Sequence, residues 1–410
     1  MPEASLSDNR IGVFGLGNIG LPLAIELGKK YATIGFDIDN KRIDELNQGI
    51  DTRNHHTKAL KIPSKLSFAN SILDLHSCNI YIIAVPTAIY PDGTPNILTL
   101  IKVSQSIATL LNKGDLIIYE STVFPGCTED ICVPILEQYS KLRYNVDFFV
   151  GYSPERINTG DSIHTLTNTT KITAGSNAST AQKVDALYKS IINDSTHLVS
   201  SIKIAEAAKL LENAQRDVNI AFMNNVATIL SSHNIPFDEV WKASSTKWNF
   251  LKFQTGLVGG DCLPIASHFL NYLSDKQENT LSISRKTNEA LPQAIVKILM
   301  DKLYRTFPKN LNFRVLILGL AYKPNTSNVK GSLVPALAEA LKKFQINSDI
   351  YDPIAEKSAV MLIKTIANEK QYHLIVKATN HQIFASLDYL SISQSDCLIF
   401  DINSFSFAEG

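Results

Sequence analysis

The sequence predicts an α/β protein: two Rossmann-like doubly wound parallel-sheet domains joined by a central long helix and a helical dimerisation domain. Three observations carry the prediction. A short apolar strand at residues 11–14 runs into Gly15-Leu-Gly-Asn-Ile-Gly20. Residues 201–232 contain neither glycine nor proline. A second strand, turn, helix and strand succession begins at Phe313. At 410 residues the chain exceeds one ordinary hydrophobic core, so two or three domains are expected.

In chain order, strand 11–14 and its glycine turn lead into a helical stretch through Lys29 and a strand at 33–36, a βαβ unit. Strand candidates at 80–85, 116–119 and 148–150, separated by helix-like segments, continue the alternation of a parallel sheet, and this first domain is expected over residues 1–195. Residues 201–232, rich in Ala, Leu, Ile and Lys, predict one long helix of the kind that connects domains or builds a dimer interface. Residues 238–286 read as helical with an interrupting loop at 255–264. The polar stretch Pro308-Lys-Asn-Leu-Asn312 marks the last boundary, giving a central domain over 196–307 and a C-terminal domain over 308–410. There, strands at 313–318, 348–351, 374–376 and 397–400 and a helix at 333–344 repeat the α/β pattern.

Composition narrows the function. With 45% hydrophobic and 19% charged residues the chain reads as globular. Thirty-nine basic residues balance thirty-nine acidic ones, so no global charge favours nucleic acid or a membrane surface. Small molecules or other subunits are the expected partners. The five cysteines, Cys78, Cys127, Cys132, Cys262 and Cys397, form no CxxC pair and no Cys/His zinc spacing, so free thiols in a reducing cytosol and no metal are expected. Residues 1–10 lack signal-peptide character and no apolar run is long enough for a bilayer, so a soluble cytoplasmic protein is expected.

The Gly15-x-Gly17-x-x-Gly20 spacing lets backbone approach a pyrophosphate at a helix N-terminus. Asp37 follows the next strand, where a carboxylate accepts ribose hydroxyls and repels a 2′-phosphate, which favours NAD over NADP. Ser121 and Thr122 lie just past strand 116–119, where hydroxyls reach a ligand, although a capped turn ending in Pro125-Gly126 explains them equally well. Glu155, after strand 148–150, is either a general acid or base or half of a surface pair with Arg156. Lys209 and Asn213, four apart, share one helix face, suited to an oxyanion or simply to solvent. Cys262 follows Gly259-Gly260-Asp261, glycines that allow close approach to a ligand beside a nucleophile, though a lone cysteine also reads as a buried small hydrophobe.

Several segments converge on one family. Gly15-Leu-Gly-Asn-Ile-Gly-Leu-Pro-Leu-Ala24, Glu120-Ser-Thr-Val-Phe-Pro-Gly126, Gly151-Tyr-Ser-Pro-Glu-Arg-Ile-Asn158 with Gly160-Asp161, Lys209-Leu-Leu-Glu-Asn213 continuing to Ala221, and Gly256-Leu-Val-Gly-Gly260 before Cys262 resemble, in order, the UDP-glucose/GDP-mannose dehydrogenase family. Residues 246–251 with Phe253 look like the bacterial branch that oxidises UDP-N-acetylhexosamines at C6 for polysaccharide synthesis. The resemblance implies a two-step oxidation of a UDP-sugar, UDP-N-acetylglucosamine or UDP-N-acetylgalactosamine, each hydride passing to NAD. Cys262 would form a thiohemiacetal and then a thioester, Glu155 would move protons during hydrolysis, Lys209 and Asn213 would stabilise oxyanions, and Thr122 would assist. The cofactor would lie against Gly15, Gly17, Asn18, Ile19, Gly20, Asp37, Arg42, Pro86, Thr87, Ser121, Thr122 and Lys330. The sugar nucleotide would meet Glu155, Arg156, Lys209, Asn213, Lys247, Asn249, Phe253, Gly259 and Lys323, and the long helix would form a homodimer.

The chain departs from that pattern in the cysteine loop. Asp261 stands where the branch has histidine, and Ala266 where it has an aspartate four residues past the cysteine. A methyl group accepts no proton, and a carboxylate beside a thiol disfavours the thiolate. The family's Asp-x-Arg is Asn328-Val329-Lys330, a point charge for a planar fork, and Asn225 replaces a glutamate. The departures leave two other outcomes: oxidation that is incomplete or transient, as in an epimerase-like reaction, and a catalytically silent subunit that binds NAD or UDP-sugar.

Overall fold

The computed structural model describes residues 9–52, 60–157, 164–260, 262–274, 277–310, 312–366 and 371–408. They form two compact units, one of Met1–Glu212 with His268–Ser274, the other of Asn213–Ser267 with Asp275–Gly410.

The first unit runs β1 (Arg10–Phe14), α1 (Gly20–Gly28), β2 (Ala32–Phe36), α2 (Asn40–Asn47), β3 (Leu66–Ala69), β4 (Ile80–Ile83), a small hairpin of β5 (Ala88–Ile89) and β6 (Pro95–Asn96), α3 (Leu98–Ala108), β7 (Leu116–Tyr119), α4 (Val133–Ser140), β8 (Phe149–Tyr152), β9 (Lys171–Gly175), α5 (Ala178–Lys189) and β10 (Thr196–Leu198), then enters α6 (Ile202–Ser232). Its eight-stranded sheet has the order β10-β9-β8-β7-β4-β1-β2-β3. β4 and β7 are buried at every residue, which is why Ile-Tyr-Ile-Ile and Leu-Ile-Ile-Tyr read as unbroken apolar runs. Helix α1 lays Leu23, Ala24 and Leu27 into the core formed with Ile11, Val13 and Ile82. Strand order reverses between β1 and β4, so the carboxyl ends of these strands mark the switch point where such sheets bind ligands. One expectation needs correcting: β9 pairs antiparallel with β8, so the sheet is parallel only up to that joint and again between β9 and β10.

The second unit takes up α6 at Asn213 and continues with α7 (Phe237–Ser244), α8 (Leu263–Tyr272, whose last turns count with the first unit), α9 (Thr280–Thr306), β11 (Val315–Leu318), α10 (Val334–Lys342), β12 (Ser348–Tyr351), β13 (Tyr372–Lys377), α11 (Tyr389–Ile392), β14 (Ser393–Asp401) and β15 (Ser406–Ala408). Its sheet has the order β12-β11-β13-β14-β15, parallel except for the last pair. Alternation along β11 splits its residues between two cores. Val315 and Ile317 join Leu299, Leu303, Leu337 and Leu341 of α9 and α10, whereas Leu316 and Leu318 join Ile375 and Phe384 on the opposite face.

The break expected at 255–264 is longer, with no helix from Ser245 to Cys262 among the described residues. That segment is held by hydrogen bonds to other elements in place of its own helix. Trp241 Nε1 donates to the Phe253 carbonyl at 2.7 Å, Thr255 Oγ1 donates to the Ile402 carbonyl at 2.6 Å, and Asn224 exchanges two bonds with the Gly256 backbone at 2.9 and 3.1 Å. Among the described residues no helix is long and apolar enough to cross a membrane.

Candidate active site

At the switch point of the first sheet, the turn after β1 is built to admit a ligand. Gly15 has φ +90°, and a Cβ there would lie 2.8 Å from the Ala84 carbonyl oxygen. Gly20 starts α1 packed on the Gly15 carbonyl, so a side chain there has no room. Gly17 differs: a Cβ on it would meet nothing within 4 Å, so backbone at this point faces open space. Helix α1 has no side-chain cap and no acidic residue in its first turn, so no carboxylate competes with an anion at the positive end of its dipole. Asn18 is exposed and Ile19 half-buried on the same turn. Asp37 Oδ2 accepts the Leu16 N–H at 2.9 Å, and the residue stays half-buried, leaving acceptor capacity for ribose hydroxyls. These features fit a dinucleotide. Arg42, expected at the cofactor, lies with its guanidinium inside the fold: Nε donates to the Leu16 carbonyl at 3.0 Å and NH1 pairs with Asp51 at 2.6 Å. It braces the turn from behind.

The neighbouring strand ends supply hydroxyls that mostly bind backbone. Ser121 Oγ donates to the Val85 carbonyl at 2.7 Å and Thr87 Oγ1 to the Thr122 carbonyl at 2.8 Å, tying the turn after β4 to that after β7, while Pro86 is exposed and Thr122 half-buried. Past that turn, Glu206 of α6 accepts the N–H groups of Gly126 and Thr128 at 2.6 and 3.0 Å. Burial pushes its carboxyl up to about 7.

Glu155 sits in the turn after β8 and is 5% exposed. Its Oε1 accepts the Ile157 N–H, whereas Oε2 is buried with no hydrogen-bond partner among the described residues. Arg156 donates to the Thr170 carbonyl and pairs with Glu212, both at 2.7 Å. On α6, Lys209 is 6% exposed, and Asn213 one turn later has a buried Nδ2 with no partner. An orphaned buried donor or acceptor costs about 1–3 kcal/mol, so these two atoms are places where a ligand group repays burial. The solvated-face reading of Lys209 does not hold.

Of the five cysteines, Cys78, Cys127 and Cys132 in the first unit and Cys397 in the second are buried, whereas Cys262, in the second unit, is exposed. It is not the buried small hydrophobe that a lone cysteine suggests. The Ala266 N–H donates to the Cys262 carbonyl at 3.1 Å, so Cys262 is the N-cap of α8. The two preceding glycines have a different cause from the expected close approach to a ligand. A Cβ on Gly259 would lie 2.5 Å from the Gly331 carbonyl oxygen, and one on Gly260, at φ +86°, 2.8 Å from the Tyr322 ring. Protein backbone and an aromatic ring fill that space. Ala266 is fully buried, and Asp261 lies outside the described residues, as do Asn158, Gly160 and Asp161. Lys247 and Asn249 are exposed, Phe253 and Lys323 half-buried, and Lys330 exposed with its N–H on Asn328 Oδ1 at 2.9 Å.

Two buried ionic clusters support these elements and escaped the sequence reading. Asp217, fully buried one turn past Asn213, accepts from Ser267 Oγ of α8 at 2.6 Å, from Arg285 NH1 at 2.7 Å and from Asn288 Nδ2 at 2.7 Å. The clamp joins the helix bearing Asn213 to the helix capped by Cys262. The second cluster, Glu120, Lys171 and Tyr188, lies behind Glu155. Its signal was a charge at the end of an otherwise apolar strand. Among the described residues no group of three or more His, Cys, Asp and Glu could hold a metal ion.

Comparison with known proteins agrees with this arrangement. Residues 9–192 match the NAD binding domain of the UDP-glucose/GDP-mannose dehydrogenase family, residues 203–290 its central domain and residues 316–406 its UDP binding domain. The chain is 43% identical over 352 residues to a UDP-N-acetyl-D-glucosamine 6-dehydrogenase of Pseudomonas aeruginosa, covering 85% of this chain and 83% of that one. It is 39% identical over 394 residues to the enzyme of the same name from Salmonella typhi, covering 93% and 92%. Among solved structures, a UDP-D-ManNAc dehydrogenase from Pyrococcus horikoshii superposes with a TM-score of 0.85 at 29% identity, covering 97% of this chain and 96% of that one. The chain therefore belongs to the UDP-glucose/GDP-mannose dehydrogenase family and is an NAD-dependent nucleotide-sugar dehydrogenase.

Proposed function

We propose that the protein oxidises C6 of UDP-N-acetylglucosamine to the uronic acid through a thioester on Cys262, supplying a precursor for polysaccharide synthesis in the cytoplasm. One observation carries the reading: the exposed cysteine of this chain is the N-cap of a helix, the position that makes a thiol nucleophilic. The choice of sugar rests on the relatives named for glucosamine, at 43% and 39% identity, against 29% for the mannosamine enzyme.

Bound NAD supplies the hydride acceptor for each of the two oxidations. Gly15, Gly17, Gly20 and Asp37 hold it in this reading. The Cys262 thiolate adds to the C6 aldehyde, and the resulting oxyanion is stabilised by the Lys209 ammonium and the otherwise unsatisfied Asn213 amide. Loss of the second hydride from C6 leaves a thioester. Glu155 Oε2, buried and unpartnered, takes a proton from the water that attacks the thioester carbon, and the Cys262 thiolate departs. Thr122, Arg156, Lys247, Asn249, Phe253, Lys323 and Lys330 are assigned to ligand contacts. A homodimer is assigned to α6, where the exposed Ile204, Leu211, Phe222 and Ile229 repeat at spacings that keep one helix face.

Ala266 favours a second reading, in which oxidation stops short of hydrolysis or is transient, because no carboxylate stands four residues past the cysteine. The test is a panel of UDP-sugars with NAD, products identified by mass, for wild type and Cys262→Ser. The proposal expects uronic acid from UDP-N-acetylglucosamine in wild type and none from the variant. An epimerised sugar without net NADH supports the second reading, and binding without conversion of any sugar supports a silent subunit.

A further inference from the structure

Behind the Glu155 turn lies a set of charges that the scheme above does not use. Glu120 directly after β7, Lys171 at the start of β9 and Tyr188 on α5 are 1%, 2% and 0% exposed. Lys171 Nζ donates to Glu120 Oε2 at 3.0 Å and to the Pro154 carbonyl at 3.1 Å. The Tyr188 hydroxyl donates to Glu120 Oε1, and the Lys171 ammonium lies 5.1 Å from the Tyr188 ring centroid. Removing two charges from water is costly, and well-packed apolar residues often serve stability as well, so such a pair is weak evidence of a purely stabilising role. What sets this pair apart is its reach to Pro154, the residue before Glu155.

The rest of the turn is tied down in the same direction. Ser153 Oγ donates to the Ile172 carbonyl at 2.7 Å, and Arg156 NH1 to the Thr170 carbonyl at 2.7 Å. The residues on both sides of Glu155 are thus tied to β9 and its lead-in, through the Pro154 carbonyl and the Ser153 and Arg156 side chains, while one carboxylate oxygen of Glu155 has no partner among the described residues. Among the described residues, the charged and titratable groups around the turn include Glu120 just after β7, Lys171 from β9, Tyr188 from α5, Arg156 on the turn and Glu212 of α6, which pairs with Arg156. Burial raises the Glu120 carboxyl, Lys171 lowers it, and the charge of Glu155 raises it again.

We infer that Lys171 and Glu120 are a positioning pair for Glu155: Lys171, held by Glu120, fixes the Pro154 carbonyl and with it the Glu155 backbone, and the pair sets two opposed charges behind the Glu155 turn. The inference rests on the reading that Glu155 moves the proton in thioester hydrolysis. Its consequence is a sign. Losing the Lys171 cation makes Glu155 harder to ionise, and losing the Glu120 charge makes it easier. A scaffold role would move neither in opposed directions.

The test is the pH profile of uronic acid formation, with covalent adduct on Cys262 followed by mass, for wild type, Lys171→Gln, Glu120→Gln and Glu155→Gln. The acid limb is expected to rise by about one pH unit in Lys171→Gln and to fall by about as much in Glu120→Gln. In Lys171→Gln, kcat is expected to fall about 10- to 100-fold with KM little changed and with adduct accumulating, and Lys171→Arg is expected to restore part of it. Limbs that do not move, or move together, while Glu155→Gln abolishes acid formation, overturn the inference and leave the Glu155 reading standing. Acid formation undiminished in Glu155→Gln overturns that reading itself. If the charge variants do not fold, Tyr188→Phe keeps all charges and removes one hydrogen bond to Glu120; a smaller downward shift of the limb supports the inference, and an unmoved limb contradicts it.

Discussion

The two sheets contain the same turn put to two uses. In the first, Gly15 follows β1 with φ +90°, its N–H donates to the Phe36 carbonyl at 2.8 Å, and Asp37 after β2 accepts the Leu16 N–H. In the second, Gly319 follows β11 with φ +92°, its N–H donates to the Tyr351 carbonyl at 2.9 Å, and Asp352 after β12 accepts the N–H groups of Leu320 and Ala321 at 2.7 and 2.9 Å. The carboxylates then part ways. Asp37 is half-buried and, among the described residues, its other oxygen accepts only the Asp39 N–H, at 3.0 Å. Asp352 is 5% exposed, with its second oxygen on the Ile354 and Ala355 N–H groups and His381 Nε2 at 3.1 Å from the first. After Gly15 a helix begins at Gly20, but after Gly319 none begins before Val334 among the described residues. A parallel sheet with a glycine turn and an aspartate is therefore not enough to make a dinucleotide site. The aspartate must keep lone pairs open, and a helix must start at the turn.

Three variants separate the two uses, the largest effect first. Gly319→Ala places a Cβ 2.5 Å from Thr379 Cβ at a left-handed φ. It is expected to destabilise the protein by about 3 kcal/mol in chemical denaturation while leaving NAD affinity unchanged. A weakened NAD affinity there would break the comparison.

The second concerns acid. Burial alone would raise the Asp352 carboxyl, but hydrogen bonds from His381 and from the Ala321 and Leu320 N–H groups hold it at about 2, below its ordinary 3.8. A depressed carboxyl stabilises the fold above the unfolded value and loses that contribution as pH falls from 3.8 towards 2. The expected contribution is about 2 kcal/mol, read as the difference between wild type and Asp352→Asn in unfolding followed from pH 6 down to about pH 2. A constant difference across that range contradicts the assignment.

The smallest effect is the sharpest. Gly17→Ala meets no protein atom within 4 Å and no positive φ, so stability should change by less than about 0.5 kcal/mol. NAD binding by calorimetry should nevertheless weaken about tenfold, because the methyl group occupies the space left for the cofactor. Unchanged NAD affinity would place the pyrophosphate elsewhere.

How much of this was legible depended on the range of the interaction. β7 was readable residue for residue because a strand buried on both faces has to be continuously apolar, and α6 because thirty-one residues without a helix breaker leave few alternatives. The antiparallel joint at β9 was not, since strand direction depends on a connection with no helix pattern of its own. The charges that support the site were hidden for the same reason: Lys171 and Glu120 are 51 residues apart, Arg285 and Asp217 are 68 apart, and single charges in sequence read as surface. Gly259 and Gly260 drew attention for a ligand, whereas Tyr322 and Gly331, distant in sequence, are what require them.

The most direct measurement counts NADH against product. On the proposed function, wild-type enzyme with UDP-N-acetylglucosamine and excess NAD should release two NADH for each UDP-sugar acid over many turnovers, one for each oxidation on the way through a Cys262 thioester. One NADH per enzyme followed by a stalled adduct, or product formed without net NADH, would contradict the account.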